Sequence, residues 1–384
     1  MAERVYFDWN ATAPLRAEAR AATRAALELT GNASSVHAEG RGARRLIEAA
    51  RLQVAALVGA EPKDVVFTSG ATEANMLALT PTLEIGGRKA PRDRLFVSSV
   101  EHPSVRSGGR FAKDVVEELP VDSDGRVDLV ELERYLLRAE RPLVSIMLAN
   151  NETGVIQPIA EIARVTRAAG VTLHVDGVQA VGKIPVDVEA LGVDLYSMSA
   201  HKLYAPKGVG ALYVRKGTAI APVAYGGHHE RDRRPGTENV PGIAAFGAAA
   251  ELAARTLAAE SERLAALRDR LENAILERIP RAGVNGSRSR RTPNTANLHF
   301  DGIDGEALVI ALDLLGFAVS TGAACSSGAI APSHVLVNMG LSAERARASM
   351  RFSLGRSNTA EQVDALVDAL VGAVEHLRRI AGHA

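Results

Sequence analysis

The sequence predicts an α/β protein, with a mostly parallel sheet in a large domain and a smaller α+β domain beside it. Three observations carry that expectation. β-branched and aliphatic runs alternate with helical patterns from about Val65 to Val214, as in strands joined by crossover helices. The 384 residues exceed one small module and suggest two or three units at roughly 100 to 200 residues per domain. The composition is 47% hydrophobic and 23% charged, with no low-complexity tract, so the whole chain is expected to fold.

Taken in order, the predicted strands are Val65–Thr68, Leu95–Ser98, Leu143–Leu148, Val171–Val175, Leu195–Met198 and Ala211–Val214. Between them, Ile159–Ala169 has helical periodicity and stops at Gly170, a residue suited to a left-handed C-terminal position. Leu257, Leu264, Leu267, Leu271 and Ile275 mark one face of a long helix that ends before Pro280, and a domain hinge is expected within it. Beyond it come strands near Thr295–Phe300 and Ala348–Leu354. A final helix opens with Thr359 and Gln362 at capping-box spacing and carries Leu366, Leu370, Val374 and Leu377 on one face.

Several function classes are disfavoured. Lys plus Arg and Asp plus Glu both total 45, so no global field draws nucleic acid or an anionic membrane to the chain. The most apolar segment noted, Ala307–Val319, is broken by Asp313 and falls short of the roughly 18 residues that span a bilayer. The first ten residues carry Glu3, Arg4 and Asp8 where a secretory signal needs a basic start and an apolar core, and a cytoplasmic protein is expected. The single cysteine, Cys325, excludes an intrachain disulfide and a multi-cysteine metal site, so it acts, if at all, as a thiol. No metal is expected, because the His228–His229 pair lacks the helical spacing of a ligand pair.

Ligands of open α/β sheets bind beyond the carboxyl ends of the strands, and here those ends are polar. They read Ser69-Gly70-Ala71-Thr72, Glu101-His102-Pro103, Asn150-Asn151-Glu152, Asp176-Gly177-Val178-Gln179 and Ser199-Ala200-His201-Lys202. Singly, each has a bland reading as a helix cap, a turn or a solvated side chain. Together at one sheet edge they offer a phosphate-binding helix start, a carboxylate, an amide, histidines and a lysine. Pyridoxal phosphate needs that set: a lysine for the Schiff base, a carboxylate for the pyridinium nitrogen and a helix N-terminus for the phosphate. Lys202 and Asp176 are the natural candidates. A dinucleotide site is the rival, but no G-x-G-x-x-G follows the first strands.

At these residues the sequence resembles the cysteine desulfurases of the NifS/IscS type (group I), which are class V aminotransferase-like, fold-type I pyridoxal-phosphate enzymes. The likeness runs in order through Asp8–Pro14, Gly31–Ser35, Ser69–Asn75, Glu101–Pro103, Asn150–Pro158, His174–Pro185, Met198–Val214, Gly236–Gly242 and Met350–Arg356. The resemblance implies a seven-stranded sheet, a large domain at 13–257 and a small domain of 1–12 plus 258–384. It gives Lys202 the Schiff base, Asp176 the pyridine nitrogen, Gln179 the phenolic oxygen, and His102 a place on the ring with proton transfer. Ala71, Thr72, Ser199 and His201 resemble phosphate-side residues, and Thr237 a threonine that reaches the partner subunit's cofactor, which implies a homodimer. Asn151 and Arg351 match groups around the cofactor and the substrate carboxylate, a task suited to a guanidinium fork.

Cys325 lies in the small-residue run Ser320–Gly328, which resembles the mobile loop of group I desulfurases at about 320–335 and makes the thiol an accessible nucleophile. The implied reaction takes L-cysteine to L-alanine and leaves a persulfide on Cys325 for a sulfur-acceptor protein, such as an iron–sulfur scaffold or sulfur carrier feeding cluster, thio-cofactor or tRNA synthesis. Ala13, Ala205, Pro235 and Ala323 depart from the family pattern, and none removes a proposed catalytic group. The alternatives are a class V aminotransferase, which has no use for Cys325, selenocysteine lyase activity, and a non-catalytic scaffold, which has no use for Lys202.

Overall fold

Seven short strands make the central sheet, in the order Val65–Thr68, Gly210–Val214, Leu195–Ser199, Thr172–Asp176, Leu143–Ser145, Leu95–Ser98 and Val116–Leu119. The computed structural model describes residues 4–85, 88–322 and 331–382; Glu3 and the stretch Ala323–Cys325 lie outside them. All neighbours in the sheet are parallel except Gly210–Val214, which runs antiparallel to both of its partners. Apart from Val116–Leu119, the strands are buried along almost their whole length, as expected of a sheet covered on both faces. The five polar strand ends therefore lie along one edge.

The sequence reading omitted the edge strand Val116–Leu119. Its side chains, Val-Glu-Glu-Leu, are exposed or half-buried apart from Leu119, so it lacks the apolar run that marks the inner strands. Leu143–Ser145 is shorter than expected, yet Ile146 and Leu148 still donate to the carbonyls of His174 and Asp176. The extended chain thus continues toward Asn150. The helix Ile159–Ala168 ends as expected, with Gly170 at φ 67.

Helices Ala17–Leu27 and Ala38–Leu57 pack with the long helix Val240–Arg278 over one face of the sheet. Gly247 makes the approach possible, since a Cβ there would sit 2.6 Å from the Cα of Ala50. The long helix starts well before the Leu257 of the sequence pattern. Its first part is rich in alanine, so a 3.6-residue stripe of large apolar groups is absent there. By length and composition this helix is apolar enough to cross a bilayer, which corrects the expectation that no stretch reaches that length. Its residues Ile243, Phe246, Ala249, Ala250 and Ala253 belong to the core under the sheet.

Farther along, Leu264, Leu267, Leu271 and Ile275 of the same helix enter a second core. That core covers the antiparallel sheet Ala282–Val284, Thr295–Phe300 and Ser349–Ser353. The final helix Ala360–Ile380 packs there, opened by the expected capping box of Thr359 and Gln362. The N-terminus joins this second unit. Val5–Tyr6 pairs with Phe317–Ala318, Phe7 is fully buried in the core, and Asp8 bridges to Ser353.

One buried ion pair fixes a strained turn between the sheet and the long helix. Glu230, Arg231 and Asp232 all have left-handed backbone angles, with φ of 46, 56 and 63, a conformation that costs a non-glycine residue about 1–2 kcal/mol. The Glu230 carboxylate grips Arg51 with both oxygens, at 2.7 and 2.8 Å, and accepts the Phe67 N–H at 2.9 Å. Both side chains are 2% exposed. Glu230→Ala should lower stability by roughly 3–5 kcal/mol, because it removes the buried two-oxygen partner of Arg51 and leaves it only the half-exposed Glu48 and the Val65 carbonyl. Urea unfolding measures this, and a loss under about 1 kcal/mol, the scale of an exposed pair, contradicts it.

Candidate active site

The first strand runs into Ser69-Gly70 and then the helix Ala71–Ala78. This helix has Gly70 in the capping position and no side chain capping it. Its first backbone N–H groups, including those of Ala71 and Thr72, have no partner within the helix and face outward at the sheet edge. Ala71 is half-buried and Thr72 exposed. Glu73 folds back to accept the Ser69 N–H at 2.7 Å and pairs with Arg234 at 2.8 Å. Gly210 lies across from both Thr68 and Ser199. A Cβ at Gly210 would sit 2.7 Å from the Gly70 carbonyl carbon, so the missing side chain lets the turn settle beside the buried Ser199.

Two residues on, His201 shares a hydrogen bond with Thr12 Oγ1 at 3.0 Å. Burial, with the charges of Lys202 and Lys207, pushes its pKa down to about 4, so the ring is neutral at physiological pH. Lys202 ends the short turn Ala200–Lys202. Its Nζ donates to the carbonyls of Asn10 and Ala11, at 2.5 and 2.6 Å. Burial and then the charge of Arg351 press its pKa down to about 8, against the pull of Asp8 and Asp176. The neutral fraction near physiological pH is then far greater than an ordinary lysine's, which favours an amine nucleophile or proton acceptor.

Gln179 points its Nε2 at the same Asn10 carbonyl, at 3.0 Å. The orientation of that amide is fixed by Lys183, whose Nζ donates to Gln179 Oε1 and to Asn10 Oδ1. Lys183 and Asn10 were not among the sequence candidates. Both lie in stretches that resemble family motifs, but a lysine turned inward to serve a neighbour looks the same in sequence as a solvated one.

Asp176 is buried at the end of its strand, where Oδ1 accepts the Val178 N–H at 3.0 Å and Oδ2 accepts Asn75 Nδ2 at 2.9 Å. His102 caps the short helix Pro103–Arg106, its Nδ1 facing the Ser104 hydroxyl at 2.8 Å. The ring is open to the site, yet the surrounding protein lowers its pKa, with Asp176 opposing and Lys202 adding to the shift. Beside it, Glu101 is fully buried and accepts from Ser98 and Met147 through one oxygen, while Oε2 has no partner. Burial pushes Glu101 up to about 8, so it holds a proton at neutral pH.

Arg351, on the strand Ser349–Ser353, donates from Nη1 to the Asn151 carbonyl at 2.9 Å and from Nη2 to Asp8 at 2.6 Å. Its Nε is buried without a partner. Asn151 meets Arg351 through its backbone, and its side chain makes no hydrogen bond among the described residues. Asn150 is the turn former, accepting the N–H groups of Glu152 and Thr153. Ser320 pairs with Arg351 through two backbone bonds, and Ser333 donates to the buried Glu152 carboxylate. These contacts flank the stretch that contains Cys325. Thr237 is not gathered with the others: it is exposed and lines a separate hollow with Thr68, Ser69 and Gly208.

The group around Lys202 fits pyridoxal phosphate. A partly neutral amine meets the needs of an aldehyde, the buried Asp176 carboxylate those of a pyridinium, and the uncapped helix start those of a phosphate. The sequence profile of the aminotransferase class-V family matches residues 5–366. The cysteine desulfurase IscS of Dictyoglomus turgidum is 44% identical over 385 residues, covering 99% of this chain and 97% of that protein. A NifS-like protein from Rickettsia africae is 33% identical with a TM-score of 0.88, over 97% of this chain and 100% of that one. A solved structure of SspA in complex with cysteine is 30% identical with a TM-score of 0.77, over 91% and 98%.

The depressed amine gives a direct test. In cofactor-free protein, reductive methylation with labelled formaldehyde should give a Lys202 signal that titrates near pH 8, absent from Lys202→Arg. A midpoint at the ordinary lysine value of roughly 10.4 would refute the electrostatic account.

Proposed function

We propose a division of labour among the residues of this chain, which belongs to the aminotransferase class-V family and is a pyridoxal-phosphate-dependent cysteine desulfurase. In balance, L-cysteine and one protein thiol become L-alanine and one protein persulfide. The carrying observation is the Lys202 amine, pressed toward its neutral form at a junction that Asp176, Arg351 and Asp8 all influence.

Lys202 is the residue that would bind the cofactor's aldehyde carbon. Asp176 would face the pyridine nitrogen and Gln179 the phenolic oxygen, while Ala71, Thr72, Ser199 and His201 would receive the phosphate, with Asn151 beside the ring. When bound, pyridoxal phosphate supplies an electron sink for negative charge at the substrate Cα. The chain supplies the proton handling. Neutral Lys202 Nζ takes a proton at Cα, and His102 Nε2, open to the site, exchanges one with the substrate. Arg351 binds the substrate carboxylate through the donor capacity that Asp8 and Asn151 leave over.

Cys325 receives the sulfur, and it is the only cysteine in the chain. Its persulfide passes to an acceptor protein of the scaffold or carrier type. Thr237 completes the site of a second copy in a homodimer, which is supported by its exposed position apart from the Lys202 group. We place the boundary between the domains at 257/258, between the residues of the long helix that enter the two cores. A cytoplasmic location accords with this chemistry, since a reducing compartment keeps the accepting thiol free.

Purified protein given L-cysteine should yield alanine and one added sulfur on Cys325, read by peptide mass. Keto-acid products without a persulfide would instead indicate an aminotransferase. Cys325→Ala should keep the yellow chromophore and lose sulfur release; normal release would sink the persulfide assignment. Lys202→Ala should lose the covalently held chromophore. Arg351→Lys should raise KM for cysteine roughly tenfold with a smaller change in kcat, because a lysine cannot replace the planar fork; an unchanged KM would remove Arg351 from carboxylate binding.

A further inference from the structure

Asn75 has no role in the scheme above. It is fully buried on the helix Ala71–Ala78. Its Nδ2 uses both hydrogens, donating to Asp176 Oδ2 at 2.9 Å and to Ser104 Oγ at 2.9 Å. Its Oδ1 is buried and unpartnered. An apolar side chain would avoid that unpaired carbonyl, so the amide is poorly explained by stability alone.

The directions of these bonds follow from chemistry. An ionised carboxylate only accepts, so the Asn75 nitrogen, and not its oxygen, must face Asp176. The second Asn75 N–H then meets Ser104 Oγ, which accepts it. The Ser104 hydrogen is left to point at His102 Nδ1, 2.8 Å away. The Ser104 backbone N–H reaches the same ring nitrogen at 3.2 Å. A ring nitrogen that receives two donors carries no proton, so His102 is held with its proton on Nε2.

We propose that Asn75 is a positioning residue that sets Asp176 and His102 together: one amide aims the Asp176 carboxylate and, through Ser104, fixes the tautomer of His102. This rests on the reading that Asp176 and His102 serve the cofactor and the substrate's proton. It goes beyond that reading by tying the two roles to one buried side chain. Polar networks of this kind act as units, so losing the shared member disturbs both ends.

The test uses holoenzyme with 15N-labelled histidine, the His102 signal being assigned by its loss in His102→Gln. The wild type should show Nδ1 unprotonated and Nε2 protonated. Asn75→Ala should give a mixed tautomer, weaken cofactor retention on dilution and lower kcat roughly 10- to 100-fold with KM nearly unchanged, the scale seen when a supporting hydrogen bond is removed. Ser104→Ala leaves Nδ1 only the longer backbone N–H bond, so it should shift part of the His102 population to the other tautomer while retaining the cofactor, and Ser104→Thr, which keeps the hydroxyl, should restore the wild-type state. This pair also reads the relay should Asn75→Ala not fold. Wild-type tautomer in Ser104→Ala, or wild-type kcat and cofactor retention in Asn75→Ala, overturns the proposal, provided Asp176→Ala and His102→Gln are impaired. Full turnover in Asp176→Ala and His102→Gln would overturn the underlying reading as well.

Discussion

The site depends on giving Lys202, half-buried, backbone carbonyls as partners in place of a carboxylate. An ammonium paired with an acid would hold its proton well above neutral pH; here the amine meets two backbone carbonyls, which accept its hydrogens without offering a full charge. Burial and the charge of Arg351 then lower its pKa toward 8. The residues that supply those carbonyls come from the N-terminal segment, far from Lys202 in sequence. That segment is held by the second unit, through Phe7 in its core and the Asn10 side chain, whose Nδ2 donates to Thr295 at 2.9 Å and whose Oδ1 accepts from Asn294 at 3.1 Å. The lysine follows a strand of the large sheet, but its partners are held by residues of the second core.

Around the lysine, like groups sit in different surroundings. Two acidic side chains lie near one another: Glu101, fully buried with one oxygen unpaired, and Asp176, which accepts a backbone N–H and the Asn75 amide. The first is neutral, and the second has the partners that an anion needs. The histidines divide similarly in environment. His201 is closed in and pushed down to about 4, whereas His102 faces the site with its Nδ1 occupied by Ser104. The two histidines are thus separated by geometry, and a pyridine nitrogen would meet Asp176, not the neutral Glu101.

Much of this was legible in the sequence because it rests on local pattern. Inner strands are continuous apolar runs, Gly170 stops a helix, and Thr359 and Gln362 cap one, so those elements are visible without the fold. The edge strand Val116–Leu119 was not, since half of its side chains are glutamates directed to solvent. The alanine-rich start of the long helix escaped for the opposite reason: close helix packing selects small residues and erases the stripe. In the site, the charged residues at strand ends announced themselves by type. Asn75, Asn10 and Lys183 act on other side chains instead of a ligand, and only coordinates show which atom each one serves.

Arg351 shows how a buried charge is kept ready for a partner. Asp8 neutralises it, and the Asn151 carbonyl takes a second bond, which offsets much of the cost of enclosing a guanidinium. The fork has five donors, and Nε has none of its needs met within the protein. Nε is enclosed, so a substrate carboxylate would have to draw on the donors of the two terminal nitrogens that Asp8 and Asn151 leave over. The same donors discriminate: a neutral thiol lacking the carboxylate would leave them unpaired, and an amine would meet the cation without compensation. With Arg351 as the proposed carboxylate anchor, selection of an amino acid over a simple thiol would follow from the donors that Asp8 and Asn151 leave over.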